Sequence, residues 1–198
     1  MIPDIDDCIS LMESTGMLEN IRDHSFVVAN VASLLLDNLD LPADDTIAPP
    51  DKNLVIAGAL LHDIAKTACL GTSRKHAEEG KLLCSQLGYH EVAEIVGEHV
   101  ILQDFEPTRQ KKGHFSPKEL VYYSDKRVTH DRIATLEQRL DYIIERYGDG
   151  TSFIENRIRE NFARCQELER NLFRFLPFAP GDLEKRLQSF ETPLVTVG

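Results

Sequence analysis

From residue 21 to residue 176 the apolar residues recur at helical spacing, and no segment alternates apolar and polar residues over the length of a strand. This regularity constrains the fold more than any other feature. Helices are predicted in "IRDHSFVVANVASLLLDNL" (21–39), "KNLVIAGALLHDIAK" (52–66), "RKHAEEGKLLCSQL" (74–87), "HEVAEIVGEHVIL" (90–102), "PKELVYYSDKRV" (117–128), "RIATLEQRLDYIIERYG" (132–148) and a long amphipathic stretch over about 152–176. Proline and glycine punctuate them at "DLPADDTIAPPD", "CLGTS", Gly88 and "DFEPTRQKKGHFSP". The expected fold is all-α: one domain of 198 residues, with 42% hydrophobic residues to build its core. The long C-terminal stretch reads as a packing helix, with homodimerisation as the sharper alternative.

Within this pattern, polar residues occupy faces that should be buried. Residues three and four apart share a helix face. His24 lies in register with Val27, Val28 and Val31, and His62 with Val55, Ala59 and Ala65. His76 aligns with Gly80, Leu83 and Leu87, and His99 with Val92, Ile95 and Val96. Asp125 aligns with Val121, Tyr122 and Val128, and Asp63 adjoins His62. A single inward histidine is usually hydrogen-bonded core. Five helices each turning a His or Asp inward is a different matter. Buried carboxylates without partners cost several kcal/mol each, and few basic residues occupy inward positions to pair them. A divalent cation would accept both imidazole nitrogen and carboxylate oxygen, and the mixed set suits Fe, Mn, Co, Ni or Zn better than Ca or Mg alone. His90, His114 and His130 fall at helix starts and in loops, where exposure is expected.

The ordered set His24, His62–Asp63, His76, His99 and Asp125 resembles the HD superfamily of metal-dependent phosphohydrolases. "LLHDIAK" is similar to the family's "HDIGK", with Ala65 where glycine is commoner. "HAEEGKLL" and "VAEIVGEHV" resemble the segments that supply extra histidines in two-metal members, and "YYSDKRV" resembles the closing aspartate segment. The resemblance spans about residues 20–130, with a helical extension over about 131–198. It implies an HD-domain helical bundle with a metal centre between helices and C-terminal amphipathic helices appended. His24, His62, Asp63 and Asp125 would be the core ligands, and His76 and His99 the additional ligands of the two-metal subset. No GYP tripeptide follows "GEHVILQDFEP", so the resemblance stops short of the cyclic-dinucleotide branch.

The resemblance implies hydrolysis of a phosphoester or phosphoanhydride in a small nucleotide or related phosphate compound, by a hydroxide bridging two divalent metal ions. Asp63 is expected to bridge the ions. Lys66, one turn after His62, is expected to hold a phosphate oxygen as a point charge. Arg22, Ser73 and Arg74 are further candidates for substrate contact, and loops 42–51 and 103–117 for specificity. Two other readings stand beside this one: an HD-like di-iron oxygenase and a non-catalytic metal- or nucleotide-binding module.

Charge limits the partners. A formal net charge of −11 argues against general nucleic-acid binding, which rests on Lys and Arg. It leaves room for a small phosphorylated substrate, because a metal ion supplies positive charge locally. The four cysteines include no CxxC pair and read as reduced thiols. The acidic start "MIPDIDDCIS" lacks a signal-peptide pattern, and the apolar run "VIAGALL" is too short to span a membrane. A cytoplasmic protein without a membrane segment is expected.

Overall fold

The structure, a computed structural model, describes residues 1–42 and 48–190. Of the loop expected over 42–51, residues 43–47 lie outside the described residues. The fold is all-α apart from one short hairpin. Helices α1 (Ile5–Ser14), α2 (Glu19–Asn38), α3 (Lys52–Leu61), α4 (Lys66–Cys69), α5 (His76–Gln86), α6 (His90–Glu98), α7 (Pro107–Gln110) and α8 (Pro117–Lys126) lead into β1 (Val128–Thr129) and β2 (Arg132–Ile133). Then follow α9 (Leu136–Tyr147), α10 (Ser152–Leu172), two 3₁₀ turns and α11 (Leu183–Gln188).

Side-chain caps start several of these helices. Asp51 accepts from the Leu54 amide at 3.1 Å to begin α3. Ser116 and Glu119 form a reciprocal capping box at α8, with Pro117 in the first turn, where its missing N–H costs nothing. Thr135 and Gln138 do the same for α9.

The core forms where α2 packs on α3 and α8, α3 packs on α6 and α8, and α5 lies along α6. Val28, Val31, Leu35, Val55, Leu60, Val92 and Val121 are wholly or almost wholly buried there; each contributes roughly 2 kcal/mol by leaving water. Two glycines bring the helices close. A Cβ at Gly58 would lie 2.7 Å from Ile95, and one at Gly80 would lie 2.7 Å from Val96. Both contacts press α6 against its neighbours.

The C-terminal helices are tied on by an ion network. The buried Arg127 guanidinium donates to the Ala134 carbonyl at 2.8 Å, the Pro180 carbonyl at 3.0 Å, Glu169 at 3.0 Å and the Tyr123 hydroxyl. Phe162, Cys165, Leu168 and Leu172 bury the inner face of α10, while Phe153 near its start is 67% exposed.

Several features differ from the sequence reading: α1 and α11 form where no helix is expected, and residues 132–133, expected to begin a helix, pair as β2 instead. The helix carrying the His-Asp pair ends at Leu61, and residues 63–65 form a tight turn before α4. The Nδ1–H of His62 donates to the Ala59 carbonyl at 2.7 Å. A continuing helix would offer that carbonyl to the amide of Asp63. The β1–β2 hairpin is too short for period-two patterning to register. His114 is half-buried rather than exposed, whereas His90 and His130 are exposed as expected.

All four cysteines are buried free thiols. Among the described residues no helix is long and apolar enough to cross a membrane.

Candidate metal centre

The six predicted ligands converge at one end of the bundle. His24 sits in the second turn of α2, His62 caps the C-terminus of α3 and His99 that of α6. His76 opens α5, and Asp125 lies in the last turn of α8. Because most of them stand at helix ends, their side chains reach past the backbone cylinders into a shared space. The imidazole rings form a chain, with centroids 5.3 Å apart for His24–His62, 5.0 Å for His62–His99 and 5.2 Å for His76–His99.

Backbone carbonyls orient three of the four imidazoles. His62 Nδ1–H donates to Ala59 O, and His99 Nδ1–H donates to Val96 O at 2.7 Å. Each acceptor lies three residues back on the histidine's own helix. His24 Nδ1–H donates to His130 O at 2.8 Å. Nδ1 therefore carries a proton in each ring, and Nε2 faces inward towards the carboxylates. His130 occupies the left-handed region at φ 55, at the tip of the β1–β2 hairpin. That geometry is uncommon for a side-chain-bearing residue, and it belongs to the carbonyl that holds His24.

Asp63 is the hub. Its Oδ1 lies 3.3 Å from His76 Nε2 and 3.6 Å from His99 Nε2, and its Oδ2 lies 3.4 Å from His62 Nε2. Two groups of donor atoms each fall within 4.8 Å: His24, His62 and Asp63 form one, Asp63, His76 and His99 the other. Asp125 adjoins the first group, its Oδ1 3.1 Å from His24 Nε2 and 3.8 Å from His62 Nε2.

Two buried ligand atoms, His62 Nε2 and Asp63 Oδ1, lack a hydrogen-bond partner. Such orphans are costly in a protein interior. His76 Nε2 and His99 Nε2 also stand 3.2 Å apart. A cation between these lone pairs would satisfy them together. The donor set fits a divalent metal, and the residues present could hold one or two ions.

The carboxylates are not as isolated as the sequence implied. Lys66 Nζ donates to Asp63 Oδ2 at 2.7 Å. Arg139 Nη2 donates to Asp125 Oδ1 at 3.3 Å, and Lys126 Nζ stands 3.8 Å from Asp125 Oδ2. Burial alone would raise the pKa of Asp63, but His62 and Lys66 outweigh it and hold the group well below the usual carboxylate range. Burial is likewise outweighed at Asp125 by the His24 bond and Arg139. Both carboxyl groups are thus held in the ionised form.

Burial pulls His76 down to about 4 and lowers His24, keeping both imidazoles neutral. At His62 the effect of burial is exceeded by Asp63 and Asp125, and its pKa rises.

A cavity of about 600 Å³ opens onto His24, Asp63 and Lys66. Its far wall is α9, which contributes Arg139, Tyr142, Ile143, Glu145, Arg146 and Tyr147. Of the expected substrate contacts, Lys66 lines this cavity. Arg22, Ser73 and Arg74 do not. Ser73 and Arg74 are exposed in the loop before α5, where Arg74 Nη2 donates to Ala68 O at 2.5 Å and Nη1 lies 3.5 Å from Glu79. No described residue of 103–117 lines the cavity either.

Sequence reasoning missed His130, whose role is carried by a backbone atom, and Arg139, in a helix to which the sequence reading gave no part in the site. It also missed Lys126, which donates to His99 O at 2.9 Å and lies 3.7 Å over the Tyr122 ring. Its position directly after Asp125 was the one available signal.

The HD domain family model matches residues 21–136. That is more than half of the chain, and the chain belongs to the HD domain family. All six ligand positions fall inside the match, whereas nearly all of α9 lies beyond it. A tRNA (cytidine(56)-2'-O)-methyltransferase of Picrophilus torridus is 30% identical over 149 residues, covering 71% of this chain and 40% of that protein. The chain thus spans less than half the length of this curated relative. No solved structure matches the chain.

Proposed function

We propose that this chain is a metal-dependent phosphohydrolase that cleaves a phosphoester or phosphoanhydride bond in a small nucleotide or related phosphate compound. The observation that carries this reading is the sharing of Asp63 by two ligand groups at the floor of a cavity that also presents Lys66. His24, His62, Asp63 and Asp125 would hold one divalent ion; Asp63, His76 and His99 would hold the second. Bound there, such ions supply Lewis acidity, lowering the pKa of water and neutralising charge that develops on phosphoryl oxygens.

The chain's own residues supply the rest. The carbonyls of Ala59, Val96 and His130 fix three imidazoles in the ligating tautomer before any ion arrives. Lys66 keeps its Nζ proton: burial would lower its pKa, but Asp63 outweighs this and raises it. It therefore acts as a fixed cation beside Asp63, placed to attract a phosphate oxygen, and not as a base. The helices enclosing His62, Asp63 and His99 exclude bulk water, which strengthens these charges.

Three cations, Lys66, Arg139 and Arg146, line the cavity against two carboxylates, Asp63 and Glu145, and this excess favours a phosphorylated ligand over the organic substrate of an oxygenase. The methyl transfer named for the relative belongs to a protein of which this chain spans 40%. A net charge of −11 also disfavours nucleic acid as the direct ligand.

The test is anaerobic purification with metal analysis, then phosphate release from a nucleotide panel with Mn, Fe, Co, Ni and Zn. Metal-dependent release that Asp63→Ala abolishes is expected. Metal-dependent oxygen consumption without phosphate release would replace this reading with the oxygenase one.

A further inference from the structure

The wall formed by α9 carries a buried guanidinium with one unpaired N–H. Arg139 is 7% exposed and lines the cavity. Its one hydrogen bond among the described residues runs from Nη2 to Asp125 Oδ1 at 3.3 Å, a long contact for a charged pair. Its Nε is out of reach of water and has no acceptor. A guanidinium has five N–H donors arranged as a planar fork, and leaving one orphaned in the interior is costly. The fork stands beside the carboxylate of a ligand residue, on the side facing the cavity. Arg146 and Lys66 line the same cavity, as does Glu145; Arg146 and Glu145 are exposed near its mouth, so three cations from α4 and α9 face two carboxylates, Asp63 and Glu145, across the cavity.

The mouth has the opposite character. Leu18, Leu70 and Tyr147 line it and are 45%, 54% and 55% exposed. Tyr142 stands deeper, with the Arg139 guanidinium 5.4 Å from its ring centroid. A ligand that satisfies both ends is anionic at the floor and planar and apolar at the rim. A volume of about 600 Å³ suits one small ligand of this kind.

We infer that α9 is the substrate-recognition wall: Arg139 and Arg146 bind the phosphate of a nucleoside monophosphate-sized ester, and Tyr147 with Leu18 and Leu70 packs against its planar group. This rests on the phosphohydrolase reading for the fate of the ligand, but not for its binding. Arg139 does two things in sequence. It neutralises Asp125 while the cavity is empty, and its guanidinium must turn from that carboxylate to reach the phosphate when a ligand enters. Because nearly all of α9 lies outside the residues shared with the family, recognition is a property of this chain's own extension.

The experiment uses the full-length, manganese-loaded protein, with inorganic phosphate and adenosine monophosphate as calorimetric probes. Metal content and phosphate release are measured in parallel. Arg139→Lys and Arg146→Ala are expected to weaken inorganic phosphate binding by about tenfold or more, with metal content unchanged. Tyr147→Ala is expected to weaken adenosine monophosphate by roughly tenfold and leave inorganic phosphate unaffected. Arg146 and Tyr147 are exposed, so those two variants keep the fold intact whatever Arg139→Lys does.

Wild-type protein that binds neither probe overturns the inference. So does an Arg139→Lys variant that loses metal along with phosphate, because Arg139 would then serve Asp125 alone. Unaltered binding in all three variants overturns it while leaving hydrolysis standing. Binding that follows the expected pattern without any hydrolysis upholds the inference and removes the phosphohydrolase reading.

Discussion

His24 is held by a residue 106 positions away: its Nδ1–H donates to the main-chain oxygen of His130 across 2.8 Å. The donor is a metal-ligand candidate inside α2, and the acceptor sits at a hairpin tip with φ 55. The backbone conformation of one residue thus sets the ring orientation of another. His130→Gly keeps the left-handed geometry at no steric cost and is expected to retain metal. His130→Val forces a β-branched residue into that region, at a cost of about 1–3 kcal/mol. Valine is expected to lower both the melting temperature and the metal content. Equal metal content in the two variants, by elemental analysis, would show that the carbonyl does not orient His24.

Removing single ligands should separate the two ligand groups. Asp63 belongs to both and His76 to one. Asp63→Ala is therefore expected to abolish binding of both ions, and His76→Ala to reduce two ions per chain to one. Equilibrium dialysis against manganese followed by elemental analysis reads this directly. One ion per chain in the wild type, unchanged in His76→Ala, would be evidence against a second site.

Gly58 sits one turn before His62, against Ile95 of α6. Gly58→Ala places a methyl group where the stiff, β-branched Ile95 already lies, at a cost of about 1–3 kcal/mol despite alanine's better helix propensity. The displacement separates α3 from α6, and with them His62 from His99. Denaturant unfolding should show a lower midpoint, and manganese affinity should fall. A more stable variant would mean that Ile95 has room to rotate away.

In the metal-free protein, burial lowers the His76 pKa to about 4. The unfolded chain then binds more protons than the folded one between about pH 4 and the ordinary histidine value near 6.5. The stability that neutral His76 contributes is full above that upper value and is lost as pH falls towards 4. The contribution is about 2 kcal/mol after allowing for partial exposure of the ring. His62, where burial is outweighed by Asp63 and Asp125, acts in the opposite sense, its contribution fading as pH rises. The decisive comparison is therefore with His76→Gln. The loss of stability from pH 7 to pH 4 in chelator-treated protein should be shallower in the variant, and superimposable curves would refute the assignment.

Arg127 tests whether the C-terminal helices depend on the core. Arg127→Ala leaves Glu169 and the Pro180 carbonyl without their cation and is expected to cost about 3–5 kcal/mol. Arg127→Lys cannot reproduce the fork and is expected to recover little of that loss. Chemical denaturation of both variants measures it.

The convergence of the six candidate ligands is legible in the sequence because helical period is a local property: His24 among Val27, Val28 and Val31 declares its face without reference to any other helix. What could not be read depends on tertiary context. "HDIAK" continues the helical pattern, yet His62 takes the Ala59 carbonyl and the chain turns. Arg139 lies on a helix to which the sequence reading gave no part in the site, and only the packing of α9 across the site turns it inward. Ser73 and Arg74 are substrate candidates in the sequence because they lead into the helix bearing His76, whose N-terminus could bind phosphate, but neither lines the cavity and Arg74 binds Ala68 O and Glu79 instead. The neutralisation of Asp63 by Lys66 and of Asp125 by Arg139 was hidden for the same reason. These pairs also weaken the argument that buried carboxylates alone require a metal. The stronger argument comes from the orphaned His62 Nε2 and Asp63 Oδ1.

The rings of His62 and His99 occupy the carbonyls of Ala59 and Val96, each at the last turn of its own helix. A bound ion would therefore be latched by backbone structure. To let it go, the end of α3 or α6 must first fray so that the imidazole can swing out. Release becomes a rare opening event rather than simple dissociation. The rate at which an excess of chelator strips the protein should level off as chelator concentration rises, and the plateau should equal the hydrogen-exchange opening rate of those two helix ends.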